Sequence, residues 1–310
     1  MEPSANVESS TVSLKKIDSL LIDFDQALLV NYPVMKLGVV AGVEFYIEKL
    51  AVLARSVMQE HLDCKDWVLT APPFIAAPAA ANLLCWCLYD VLADQLPPSY
   101  SLSMIDLHYK NLPTGVEDDQ DFKLCYEYSN NSVEDRVKER SRMQDDIGLH
   151  ADAFEGKGVL IVNDIKVTGT QQDFLTSSFA AVSPARLHWV YILEVDRSLA
   201  SEHPEVEHQI NNSNIKSLDE YKQVIQLSDT HYTARCLSRL FNYQIDEFRS
   251  LLNALDSAQL STILGYALGE RRFEGAYFSE KLELLKDFCT TTNTAAIKYD
   301  NNPNRAVRST

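Results

Sequence analysis

The sequence predicts an α/β fold: a mostly parallel sheet of about four or five strands flanked by helices, with an additional helical C-terminal region. Three observations carry this. The stretch Gly158–Gln171, GVLIVNDIKVTGTQ, opens with an apolar run from Val159 to Val162 and then turns polar at Asn163 and Asp164. Such a run reads as a central strand buried on both faces. Apolar runs recur near 67–70, 102–109 and 187–195, with helical patterns between some of them, which favours parallel pairing. Beyond Pro204 the strand texture stops and helical spacing takes over.

Taken in order, residues 1–13 (MEPSANVESSTVS) are polar and carry no apolar core. They read as a disordered N-terminus without a secretory signal, so a cytoplasmic protein is expected. SLLIDFDQALLV (19–30) holds two acids, Asp23 and Asp25, after an apolar stretch. From Val43, apolar residues recur at Tyr46, Ile47, Leu50, Leu53 and Val57, the stripe of a helix that packs on a sheet. Trp67–Thr70 is a short strand, Ala71-Pro72-Pro73-Phe74 a loop, and a long apolar helix starts near Pro78, an acceptable first-turn proline. SYSLSMIDLHYKNLP reads as a strand ending at His108-Tyr109-Lys110.

Residues 111–148 read as an insertion. TGVEDDQD is a loop tip and FKLCYEYS alternates like an exposed hairpin strand. NNSVEDRVKERSRMQDD then concentrates Arg136, Lys138, Arg140 and Arg142. That cluster suits either an anion-holding lid or an ion-paired surface helix. After Ser183-Pro184, ARLHWVYILEVD is a further strand with Glu194 and Asp196 at its carboxyl end. Residues 204–292 form the helical region, with Ser217 and Glu220 spaced as a capping box and Arg271-Arg272 and Tyr277 in a polar turn. Residues 293–310 read as a disordered tail. The unit between, 14–203, is the α/β domain.

The chemistry concentrates at the central stretch. Strand, polar loop and helix start follow one another there, and helix N-termini at strand ends bind phosphate through free N–H groups. Thr168 and Thr170 add hydroxyls, and Gly169 permits close approach and a positive φ. Asp164 is placed to accept from sugar hydroxyls or to hold a metal through water.

VLIVNDIKVTGTQ resembles the phosphoribosyl-diphosphate (PRPP) motif of the type I phosphoribosyltransferases: four apolar residues, two acids, a variable segment and a Thr-Gly turn. The resemblance implies that Asn163 and Asp164 hold the ribose and that Val167, Thr168, Gly169, Thr170 and Gln171 form the 5-phosphate loop. Asn163 departs from the usual first acid, and Gln171 from the usual Thr or Ser. Ala71, Pro72, Pro73 and Phe74 lie where the family has its pyrophosphate loop. Pro72 and Pro73 offer no N–H, so Phe74, Ile75 and Ala76 or an unusual peptide geometry would serve. A purely structural loop is the alternative. Lys110, Arg136, Arg140 and Arg142 are the implied contacts to the leaving pyrophosphate, each with a solvated-surface alternative. Glu194 and Asp196 are implied neighbours of metal or acceptor.

The implied activity is phosphoribosyl transfer between PRPP and an unidentified acceptor, with inversion at C1, Mg²⁺ as cofactor and no direct protein ligand to it. A homodimer is also implied. Two other functions stand beside it. One is a non-catalytic PRPP- or nucleotide-binding regulator. The other is a phosphatase: Asp23-Phe24-Asp25 resembles the nucleophile and general acid of haloacid-dehalogenase-like enzymes, with Gln26 and Ala27 as departures.

Composition bounds the rest. A 310-residue chain with 46% apolar content supports one large core or two modest ones. No apolar run approaches the roughly 18 residues of a membrane span. The net charge of −16 speaks against general nucleic-acid binding. The scattered cysteines, 64, 85, 87, 125, 236 and 289, read as reduced thiols.

Overall fold

The computed structural model describes residues 9–19, 27–109, 147–203, 205–270 and 272–300. At its centre is a five-stranded sheet: β1 (Ser9–Ile17), β2 (Asp66–Thr70), β3 (Ser101–Met104), β4 (Gly158–Lys166) and β5 (Arg186–Val195), in the order β1-β5-β4-β2-β3. Every neighbouring pair is parallel. The expected parallel α/β sheet is therefore present.

The apolar run of β4 is buried on both faces because its side chains alternate between two cores. Leu160 and Val162 face one core, with helix α3 (Val40–Glu60) and helix α4 (Ala80–Gln95). Val159 and Ile161 face the other, with Leu175 and Phe179 of a helix spanning Thr170–Phe179. Gly158 opens the strand for a steric reason. A Cβ there would lie 2.5 Å from the Trp67 ring on β2.

Two expectations are corrected at the ends. Residues 9–13, expected to be disordered, belong to β1. Only Ile17 of that strand is fully buried, with Val12 and Leu14 packed partly on the core, so its apolar signature is weak, and it pairs along β5. Side chains add to that pairing: Ser10 Oγ lies 2.7 Å from His188 Nδ1, and Gln172 donates to Thr11 Oγ1 at 3.0 Å. At the other end, residues 293–300 continue a helix, Ser279–Asp300, where a disordered tail was expected. The strand expected over 102–109 is shorter, and its last residues form isolated bridges, Phe74 with His108 and Tyr109 with Ile147. Asp23, Asp25, Lys110, Arg136, Lys138, Arg140, Arg142 and Arg271 lie outside the described residues, as do residues 111–146 of the expected insertion and the segments 1–8 and 301–310.

The remaining helices, in chain order, are α1 (Ala27–Val30) and α2 (Tyr32–Lys36) before α3, then α5 (Ala151–Phe154), α6 (Thr170–Phe179), α7 (Arg197–Glu202), α8 (Val206–Asn211), α9 (Leu218–Ile225), α10 (Ala234–Asn242), α11 (Ile245–Leu252), α12 (Ser257–Glu270) and α13 (Ser279–Asp300). Helices α9 to α13 build a core of their own around Tyr221, Leu237, Phe241, Phe248, Ile263, Phe273 and Leu285. Leu37, Val39 and Ala77 from the α/β part also sit in that core. The capping box expected at Ser217 and Glu220 is formed. Among the described residues no helix is long and apolar enough to cross a membrane.

The topology also locates a crevice. From β2 the chain passes through α4 to β3, on one side of the sheet order. From β4 it passes through α6 to β5, on the other. Helices α4 and α6 lie against opposite faces. β2 and β4 are neighbours, so the loops at their carboxyl ends diverge, and open α/β sheets bind ligands at such a switch point.

Replacing Gly158 by Ala should cost about 1–3 kcal/mol of stability through overpacking against Trp67, measured by urea denaturation. Burial, reinforced by His61 and Arg186, lowers the His188 pKa to about 4. The folded protein thus refuses a proton that the unfolded chain accepts below about pH 6.5. Stability should fall as pH drops from there toward 4, and the His188 ring signal in an NMR titration should stay that of the neutral form across the interval.

Candidate functional site

A cleft of about 310 Å³ opens at the switch point. One wall is the β2–α4 loop, including Pro72, Pro73, Phe74 and Ile75; the floor and opposite wall run from Asn163 to Gln172. Lys36 enters from α2, and Glu270 and Arg272 enter from the helical C-terminal region.

The β4–α6 connection is built as the sequence suggests. Gly169 precedes the helix with φ 81° and ψ −8°, the left-handed conformation that favours glycine. A Cβ there would meet nothing closer than 3.8 Å, so the backbone conformation, not space, asks for glycine. Thr168 Oγ1 and Thr170 Oγ1 are 2.8 Å apart, and the Thr170 N–H lies 3.4 Å from Thr168 Oγ1. The first N–H groups of α6 have no partner within the helix, and the helix dipole adds partial positive charge. Val167 turns its side chain into the core beneath the turn.

Asn163 and Asp164 are both buried in β4, so each must be paired. Asn163 Nδ2 donates to Gln171 Oε1 at 3.0 Å, and its Oδ1 accepts the Asp164 N–H at 2.9 Å. The two departures from the motif are therefore partners. A carboxylate at 163 could not donate to Gln171. Asp164 Oδ2 accepts from Tyr32 Oη and from Lys36 Nζ, each at 2.5 Å. Burial, then the Asp164 charge, pushes the Tyr32 pKa well up, so its hydroxyl stays a donor. Tyr32 and Lys36 stand four residues apart on one face of α2, which aims both at the same carboxylate. Sequence reasoning missed them; the only signal was this spacing around Pro33.

The proline-bearing loop Ala71–Phe74 forms a wall of the cleft, but its donors are engaged. Ala71 is in the core. The Phe74 N–H donates to Leu107 O at 3.2 Å, and its ring lies 4.4 Å from that of His108. The Ala76 and Ala77 N–H groups both donate to Glu270 Oε1, at 3.2 and 2.9 Å. No cis peptide bond occurs among the described residues. Glu270 was missed although Arg271-Arg272, beside it, was noted; no pattern marks it in the sequence.

The other named residues have different positions. Glu194 pairs with Lys166 at 3.2 Å and with Lys16 at 3.8 Å, outside the cleft lining. Asp196 caps α7, accepting the Ser198 N–H at 2.9 Å. Tyr277 is exposed and packs on Phe278, away from the cleft. Tyr109 lines the cleft and bridges to Ile147.

Among the described residues three cations line the cleft and each is paired: Lys36 with Asp164, Lys166 with Glu194, Arg272 with Glu270. No group of three or more His, Cys, Asp or Glu side chains among the described residues is arranged to hold a metal. Asp164 already carries an ammonium, and Asn163 has no charge to offer. The donor set does not fit a protein-held Mg²⁺.

A turn of this kind at a switch point, with a carboxylate beside it, matches what the resemblance of the Gly158–Gln171 stretch implies. Residues 122–285, just over half the chain, match the family model described as PRTase ComF-like, and the chain belongs to that family. The match includes the Gly158–Gln171 stretch and extends through α12 into α13, so it takes in most of the helical region. Among solved structures, the chain is similar to the hypoxanthine-guanine phosphoribosyl transferase of L. donovani, at 18% identity over 53% of this chain and 78% of that one, with a TM-score of 0.32. No curated protein matches.

Lys36→Met leaves the Asp164 carboxylate buried beside a single neutral donor. It should destabilise the fold by about 3 kcal/mol in urea denaturation, and Tyr32→Phe by about 1–2 kcal/mol.

Proposed function

We propose that the cleft binds PRPP and that the protein transfers its phosphoribosyl group to a small-molecule acceptor. The observation that carries this reading is the Thr168–Gln171 turn, held at the switch point by left-handed Gly169 at the start of α6. A 5-phosphate seated there would take the leading N–H groups of α6 and the hydroxyls of Thr168 and Thr170. The ribose would then lie over the end of β4. Both recorded bonds to Asp164 fall on Oδ2, so a sugar hydroxyl would donate to Oδ1.

With the 5-phosphate and ribose so held, C1 and the diphosphate point across the cleft toward the β2–α4 loop. Catalysis on such a substrate is mainly positioning and charge stabilisation. Lys110, Arg136, Arg140 and Arg142 are the candidates to neutralise the departing pyrophosphate. The described cations of the cleft already have partners, so these residues would have to supply the surplus charge. Mg²⁺, when bound, would supply charge compensation on the diphosphate.

A second reading has specific support. Glu270 occupies two N–H groups of the loop that would meet the diphosphate, and Asn163 lacks the charge of the usual acid. Both favour a PRPP-binding regulator that kept the fold without the transfer.

Two measurements separate these readings. Calorimetric titration with PRPP should show saturable binding, and Asp164→Asn should weaken it about tenfold or more, the worth of a charged hydrogen bond. Unchanged affinity in that variant removes Asp164 from the site. A screen of nucleobases and related acceptors for pyrophosphate release then decides between transfer and binding alone.

A further inference from the structure

The β2–α4 loop carries few donors for an anion. Pro72, Pro73 and Pro78 have no N–H, and the Phe74 N–H is bonded to Leu107. Of the three N–H groups left between Phe74 and Pro78, those of Ala76 and Ala77 converge on one oxygen of Glu270. Converging backbone N–H groups form an anion-binding concavity. In this protein its occupant is a carboxylate from the far end of α12, 194 residues along the chain from Ala76.

The occupant is built in. Glu270 is buried, at 4% exposure, yet it lines the cleft. Its second oxygen is held by Arg272 Nη2 at 2.9 Å. The helix that bears it touches the loop closely: a Cβ on Gly269 would lie 2.5 Å from the Ala76 Cβ. Ala77 itself is part of the C-terminal helical core.

We infer that Glu270 is a resident anion in the Ala76–Ala77 concavity, and that a substrate diphosphate must displace it. The C-terminal helices would then gate the diphosphate half of the cleft. This rests on the reading of the cleft as a PRPP site and adds to it an internal competitor. Two negative groups cannot share two donors in a cleft without surplus positive charge. A shift of α12, through a partner or a modification of the helical region, would set the apparent affinity for the diphosphate while leaving the 5-phosphate turn untouched.

The test is calorimetric titration of the full chain with two probes, inorganic pyrophosphate and ribose 5-phosphate. Glu270→Gln removes the charge and keeps the shape. It should bind pyrophosphate about tenfold or more tightly than the wild type, since a competent state populated in only a fraction of molecules lowers affinity by that fraction. Ribose 5-phosphate, which has no diphosphate, should bind both equally. Pyrophosphate binding no tighter in a folded Glu270→Gln overturns the inference. Should that variant fail to fold, Glu270→Asp keeps the charge for Arg272 and withdraws it from the N–H groups by one methylene. It too should bind pyrophosphate more tightly, and equal or weaker binding overturns the inference. Absence of ribose 5-phosphate binding in every form would overturn the phosphate-turn reading instead, and the pyrophosphate comparison would still decide the role of Glu270.

Discussion

A strand covered on both faces leaves its polar side chains no water, and β4 is such a strand. Leu160 and Val162 fill one core while Val159 and Ile161 fill the other. Where polarity begins, at Asn163 and Asp164, the strand is still buried, and each side chain needs a protein partner. That demand organises the site. Asp164 recruits Tyr32 and Lys36, which ties α2 to the sheet. Asn163 recruits Gln171, which ties the strand end to the first turn of α6. The cleft is what remains between these attachments and the loop after β2.

The same demand accounts for the charge balance. Each described cation at the cleft is matched by an acid, and the acids come from three separate parts of the chain: β4, β5 and α12. In a protein with a net charge of −16, this pairing leaves the described part of the cleft close to neutral. A polyanionic ligand is then held by N–H groups, hydroxyls and helix dipole, and by whatever charge arrives with it or from elsewhere in the chain. The turn at Gly169 has such donors. The opposite wall has them too, but Glu270 is already bound there.

Asn163 and Gln171 show how a pairwise departure can be misread one residue at a time. Taken singly, Asn163 loses a charge and Gln171 loses a small hydroxyl. Together they form one hydrogen bond that spans the turn, with donor on one side and acceptor on the other.

Four strands of the sheet and the turn at Thr168–Gln171 were legible in the sequence. An apolar run, a polar step and a Thr-Gly-Thr turn are local, and their spacing alone dictates strand, loop and helix start. The amphipathic stripe of α3 and the capping box of α9 were legible for the same reason. Which distant groups meet there follows from how the chain folds back on itself. Tyr32 and Lys36 reach Asp164 across 132 and 128 residues, and Glu270 reaches Ala77 across 193. Strand β1 was hidden likewise, because a half-buried edge strand carries only a weak apolar pattern, here Val12, Leu14 and Ile17, and pairs along a neighbour distant in sequence. Hydrophobic periodicity records what each segment buries against the core. It carries no record of which buried charge will need which partner, because that is settled only when the chain has closed around both.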